Sequence, residues 1–273
     1  MIDIKNCPTC KSENIKIIRK IEYHYPREIK NHYVDRRLRI AFDSIFRCDR
    51  KDILLYKVYQ CENCKLMFLN PRLNDVEASI VNENLIKDFK FKTPKIENIS
   101  PFDIEKEKRI RELTSKYMDK EAQTILDYGG ADGRMCIYLR DKYKCQVMEL
   151  TKYIMHEGIE YLGDNMECLK NRQYDMILLS HVLEHLHAPL ESLIYLRNHL
   201  KLTSGIIIIS VPAGYINEWK NGIREPLTHC NFYNQDSLKK TLDIAGYKCL
   251  EMKEYPSSSF GEIYYVGEIG ESK

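Results

Sequence analysis

The stretch Ile125-Leu126-Asp127-Tyr128-Gly129-Gly130-Ala131-Asp132-Gly133-Arg134 decides the reading of this 273-residue chain. A short apolar run enters a glycine turn, and a helical pattern over Met135 to Asp141 leaves it. Glycine lets backbone approach a ligand closely, and a helix beginning there offers unpaired N–H groups and a positive dipole end. A dinucleotide fingerprint would need glycines at 129, 131 and 134; Ala131 and Arg134 occupy two of those places, which weakens a nicotinamide reading.

Downstream of this turn, apolar runs alternate with amphipathic stretches. The runs are Thr124–Asp127, Cys145–Met148, Glu160–Leu162, Tyr174–Leu179 and Gly205–Val211, with Tyr247–Met252 and Gly261–Val266 as a closing antiparallel pair. This order predicts an α/β fold: a doubly wound, seven-stranded, mostly parallel sheet covered by helices on both faces. Ahead of it, Ser100-Pro101 followed by Phe102, Ile104, Ile110, Leu113 and Tyr117 predicts a capped helix packed beside the first strand. A helix over Asn74–Phe89 and a Lys- and Pro-containing connector, Lys90 to Ile99, precede that. The expected domains are therefore residues 1–71, a helical connector over 72–119, and the sheet domain over 120–273.

The N-terminal part carries two CxxC knuckles, Cys7-Pro-Thr-Cys10 and Cys61-Glu-Asn-Cys64, a spacing that lets four thiolates surround one tetrahedral zinc. Residues 11–60 between them are predicted to form a strand and helix excursion reaching over the active site. Cys48, Cys136, Cys145, Cys168, Cys230 and Cys249 show no pairing and read as core or incidental residues. The start MIDIKNCPTC lacks the pattern of a secretory signal, and the strongest apolar run, Gly205–Val211, is far too short to span a bilayer. The expectation is no membrane insertion and a cytoplasmic location, where paired cysteines point to metal rather than disulfides. Net charge is +2, and residues 1–60 hold fourteen Lys and Arg against eight acids, a surplus spread too thinly to argue for a nucleic-acid partner.

The glycine turn resembles the Asp-x-Gly-x-Gly-x-Gly first motif of class I S-adenosylmethionine-dependent methyltransferases, matched at Asp127, Gly129 and Gly133 and departed from at Ala131. The resemblance implies a cofactor site formed by Asp127, Tyr128, Gly129, Gly130, Asp132, Gly133, Glu149, Leu150, Asp164, Asn165 and Ser180. Glu149 falls about 20 residues beyond the turn, where a carboxylate accepts two hydrogen bonds from a ribose diol. Asp164 and Asn165 follow the third strand, where this family recognises adenine. The likeness extends over residues 105–267 and includes Ser180-His181-Val-Leu-Glu184-His185-Leu-His187-Ala-Pro189 and Thr228-His229-Cys-Asn231-Phe232-Tyr233. These match a subgroup of bacterial enzymes acting on sugars, lipids, quinones and other small metabolites. The segment Tyr59 to Pro71 resembles the zinc-binding segment ahead of some bacterial sugar methyltransferase domains.

His181, Glu184 and His185 can share one helical face by spacing, but the order differs from HExxH, so metal is not the expectation there. In-line methyl transfer asks the protein to align a nucleophile and, for a hydroxyl, to remove its proton. The catalytic expectation is His229 or His185 as base, with His181, Glu184 and Tyr233 shaping the pocket. The acceptor class implied by resemblance is a small polar molecule, a hydroxyl of a sugar or nucleotide-linked sugar in surface-polysaccharide synthesis. An RNA acceptor, or a zinc-dependent binding module on a catalytically silent scaffold, remains as an alternative, and oligomeric state is open.

Overall fold

The structure, a computed structural model, describes residues 1–30, 34–46, 53–89, 99–213, 228–256 and 261–270. Seven strands form the principal sheet: β4 (Thr124–Tyr128), β5 (Lys144–Met148), β6 (Glu160–Gly163), β7 (Met176–Ser180), β8 (Ile206–Ala213), β10 (Tyr247–Tyr255) and β11 (Gly261–Ile269). Their order across the sheet is β10-β11-β8-β7-β4-β5-β6. Pairings among β4 to β8 are parallel, and β11 joins β8 and β10 antiparallel. After β4 the chain builds outward through β5 and β6, then crosses back to place β7 on the other flank of β4. That reversal opens a crevice at the carboxyl ends of β4 and β7, where doubly wound sheets hold ligands.

Period-2 alternation assigns each strand residue to one of two cores. Leu126, Tyr128, Ile177, Leu179, Ile207 and Ile209 face one cluster, and Ile125, Met176, Leu178, Ile206 and Ile208 face the other. Helix α3 (Pro101–Tyr117) covers the second face, its Ser100 side chain capping Asp103 N–H and its Ile110 and Leu113 buried with the strands. The first face takes α4 (Pro189–Arg197) and α5 (Gln235–Ile244). It also takes Cys7, Cys61, Cys64, Leu66 and Phe68 from the N-terminal part, so the knuckles share a core with the central strands.

Two local expectations are corrected. No α-helix follows the glycine turn over Met135 to Asp141: a single 3₁₀ turn, Arg134–Cys136, continues as separate turns. Gly133 enters it left-handed with no side-chain cap, and bonds such as Leu139 N–H to Cys136 O keep the tighter spacing while the chain returns to β5. Residues 181–187 are likewise a turn, not a helix. His181 has a φ of 56°, outside the helical range, and α4 begins only at Pro189.

A second sheet runs β1 (Ile15–His24), β2 (Ile53–Cys61), β3 (Met67–Asn70) and β9 (Asn231–Phe232), all antiparallel neighbours. Helices α1 (Val34–Ala41) and α2 (Asp75–Phe89) close over Tyr56, Val58, Leu69 and Phe232 in a third cluster. Strand β9 comes from the segment that holds His229, so the N-terminal sheet is completed by the C-terminal part of the chain. Most of the connector, residues 90–98, and Cys48 lie outside the described residues. Among the described residues no helix is long and apolar enough to cross a membrane.

Candidate active site

The glycine turn lies at the carboxyl end of β4. Gly129 has φ +72°, and a Cβ there would stand 2.6 Å from Val182 Cγ2, so the turn packs directly against the segment following β7. Ala131 also adopts a left-handed φ of 49°. Asp127 is fully buried beneath the turn; one carboxylate oxygen has no hydrogen-bond partner, and Cys136 Sγ is 3.9 Å from the other. Burial first, then the charges of Glu149 and Asp132, push its pKa up to about 7.

Glu149 leaves β5 beside the turn. Its carboxylate accepts from the backbone N–H of Ala131 (3.1 Å) and of Thr151 (3.3 Å), and burial raises its pKa despite both bonds. Asp132 is buried and held by Arg134 at 2.8 Å. Tyr128 is buried, Leu150 exposed, and Ser180 accepts from Ser210 Oγ at 3.2 Å. Asp164 and Asn165 are exposed after β6; the Asn165 oxygen caps the next turn through Glu167 N–H, and its amide donates to Asp164.

The histidine residues part company. His181 turns toward the far strand, where Nε2 donates to Glu262 Oε1 on β11 at 2.5 Å. Glu262, 1% exposed, also pairs with Arg109 at 3.1 Å and accepts from Tyr264. Burial would raise Glu262, but the His181 bond and the charges of His181 and Lys106 hold it below the usual carboxylate range. The sequence reading passed over Glu262, although an acid in an otherwise buried, apolar strand was a visible signal.

His185 instead meets His229, ring centroids 4.4 Å apart and nearly perpendicular. His185 Nδ1 donates to Thr228 O at 3.0 Å, which leaves the lone pair on Nε2, 4.0 Å from Glu184 Oε1. Glu184 is 1% exposed, and both of its carboxylate oxygens are buried without a hydrogen bond. The His185 side chain keeps 38% of its exposure. Burial lowers both imidazoles, His229 well below its ordinary value, and the cation Arg37 on α1 adds to this. The N-terminal excursion therefore reaches the site electrostatically.

Backbone bonds fix the cluster. The Glu184 carbonyl accepts from Cys230 N–H and Asn231 N–H, and Asn231 Nδ2 donates to Leu186 O. Buried Arg72, another residue the sequence reading missed, donates to His187 O and Asn231 Oδ1. Tyr233, expected to shape the pocket, is 3% exposed and belongs to the main core; burial pushes its hydroxyl pKa up.

Near the N-terminus, Cys7, Cys10, Cys61 and Cys64 bring their sulfurs within 4.8 Å of one another. Sulfur pairs at 3.4 and 3.5 Å approach the about 3.8 Å edge of a tetrahedral zinc–thiolate site. The hydrogen bond between Cys7 and Cys64 lowers the first thiol and raises the second, as one proton shared by two sulfurs does. A concavity of about 1090 Å³ lies where the parallel strands begin, lined by Lys239, Lys240, Lys248 and Glu268 among others. Lys239 pairs with Asp243 and Lys248 with Glu268, and the concavity contains none of the residues above.

The strand order, the glycine turn at the switch point and the acid closing β5 define the class I methyltransferase fold. The family model described as a methyltransferase domain matches residues 102–252, and the chain belongs to that family. It is an enzyme of the S-adenosylmethionine-dependent methyltransferase class. Among solved structures it is similar to 1,6-didemethyltoxoflavin-N1-methyltransferase of Burkholderia thailandensis, solved with 1,6-didemethyltoxoflavin and S-adenosylhomocysteine. That match has TM-score 0.55 at 11% identity and covers 79% of this chain and 96% of that one. A structure described as a pericyclic reaction enzyme gives TM-score 0.51 at 14% identity over 72% and 55% of the two chains. At these identities the likeness is one of fold. No curated protein matches the sequence.

Proposed function

We propose that the chain transfers the methyl group of S-adenosylmethionine to a hydroxyl of a small polar acceptor, a sugar or nucleotide-linked sugar used in surface-polysaccharide synthesis. The observation that supports the reading is the contact of the glycine turn with Val182, two residues before Glu184, so that a cofactor on the turn would lie beside the Glu184–His185–His229 cluster. Glu149 would hold the ribose hydroxyls, and the turn from Tyr128 to Gly133 would hold the rest of the adenosyl and methionine parts. Asp127, with an unpartnered buried oxygen beneath the turn, suits a cationic ligand. The cofactor supplies an electrophilic methyl group on a sulfonium.

That methyl group would be open to in-line attack by the acceptor oxygen, with S-adenosylhomocysteine as the leaving group, and the Glu184–His185–His229 cluster would take the hydroxyl proton. A neutral imidazole with its lone pair on Nε2 is the form that can take it. The small heterocycle in the Burkholderia structure shows that this fold accommodates a small acceptor in that protein. The four cysteines would hold a structural zinc, anchoring the segment that carries β2 and β3.

The test is transfer of a labelled methyl group to nucleotide sugars, phosphorylated sugars and RNA presented in parallel. Transfer to the carbohydrates is expected, lost by roughly 10²–10⁴-fold in His185→Ala or His229→Ala. Label entering RNA alone, or wild-type turnover in both variants, would refute the reading.

A further inference from the structure

We infer that Glu184, His185 and His229 form a second metal site, separate from the four cysteines, for one divalent first-row transition-metal ion. One ligand atom from each residue lies within 4.8 Å of the others. Octahedral or tetrahedral ligation at about 2.1 Å needs roughly 3.0–3.4 Å between ligand atoms, within reach of small side-chain torsions. The independent observation is Glu184. Its carboxylate is buried, aims into the cluster, and has no hydrogen bond on either oxygen. Its two histidine ion-pair partners, His181 Nδ1 at 3.6 Å and His185 Nε2 at 4.0 Å, are too distant for a hydrogen bond. A buried carboxylate left this way is costly unless it is paired or bound to a metal.

The surroundings complete the argument. His185 donates its Nδ1–H to the Thr228 carbonyl, the outer bond that typically orients a metal-ligating imidazole and leaves Nε2 to bind. The ligands sit on two segments sewn together by Cys230 N–H and Asn231 N–H to Glu184 O, so ordering the site costs little on binding. Two imidazoles and one carboxylate suit Zn²⁺, Fe²⁺, Mn²⁺ or Co²⁺, and three protein ligands leave a position open. The positive charge of Arg37 acts on both imidazoles and would oppose a bound cation. An ion there would compete with proton uptake for the His185 Nε2 lone pair, so methyl transfer by the metal-free cluster would slow as the site fills. This consequence rests on the proposed function; the binding of the ion does not.

The experiment equilibrates the full-length, zinc-loaded protein with Co²⁺, removes excess ion, and measures bound cobalt and zinc with the cobalt absorption spectrum. One equivalent of cobalt beside an unchanged zinc content is expected, with bands lacking thiolate charge transfer. Glu184→Gln and the double variant His185→Asn/His229→Asn should lose that cobalt while keeping zinc and their circular dichroism. Wild-type protein taking up no cobalt, or Glu184→Gln and the double variant both retaining it, overturns the proposal. Calorimetric titration of the same samples with S-adenosylmethionine reads the cofactor assignment separately.

Discussion

Replacing Asp127 by Asn should change how stability depends on pH. The carboxyl is fully buried, its Oδ1 lacks a partner, and burial together with Glu149 and Asp132 raises its pKa to about 7. In the unfolded chain the same group titrates near 3.9, so between these values the folded protein keeps a proton that the unfolded chain has released. Its contribution is therefore complete below about pH 4 and falls by about 1.4 kcal/mol per pH unit as pH rises. By pH 7 to 8 roughly 4 kcal/mol is gone. Asn cannot ionise and escapes this loss. In protein without cofactor the variant should match wild type near pH 4 and exceed it at pH 8 by up to about 4 kcal/mol, or about 7 °C for a chain this long. Calorimetry or urea titration of both proteins across pH 4–9 measures it; curves running parallel over that range would refute the assignment. The same charge has a binding signature. A sulfonium bound beside Asp127 favours its carboxylate, so binding near pH 7 should release a fraction of a proton, detected as a dependence of the calorimetric enthalpy on buffer ionisation heat. Asp127→Asn should abolish that release.

Glu149→Gln can offer only one acceptor oxygen to the N–H groups of Ala131 and Thr151 and to a ribose diol, so S-adenosylmethionine affinity should fall roughly 10–100-fold. A calorimetric change below about threefold would count against a ribose role. Cys61→Ser should lower zinc content by one equivalent and lower the melting temperature of the whole chain in one transition, because Cys61 shares its core with Leu126 and Ile177. A separate early transition, with the remainder unaffected, would contradict that shared core. Arg72→Met strips hydrogen bonds from His187 O, Asn231 Oδ1, Leu69 O and Cys230 O, and should cost about 3 kcal/mol in urea titration. Stability within about 0.5 kcal/mol of wild type would show those acceptors to be satisfied otherwise.

The sheet was legible because buried parallel strands must be apolar on both faces, as Ile206–Ile209 is, and because Gly129 and Gly133 mark the turn where left-handed backbone is needed. Long-range choices were not written in any local period. The i, i+4 spacing of His181 and His185 imitates a helical face, yet the left-handed φ of His181 sends one ring to Glu262 on β11 and leaves the other beside His229. Those partners lie 81 and 44 positions away along the chain, beyond the range of pattern reading. The run Met135–Asp141 shows helical spacing, but the short return to β5 keeps it in turns.

The cluster also joins what sequence reading treated as separate modules. His229 precedes β9, β9 pairs with β3, and β3 leads into Arg72, which grips the carbonyl of His187 beyond the turn carrying Glu184 and His185. The charge of Arg37 on α1 also lowers the two imidazoles. The four-cysteine knot fixes the end of β2 and the approach to β3, and through them the strand that completes the acceptor cluster. A zinc held there would then act on catalysis through geometry alone: its loss would loosen the segment holding His229 relative to Glu184 and His185 while leaving the glycine turn and Glu149 intact. In such protein, methyl transfer should fail before cofactor binding does.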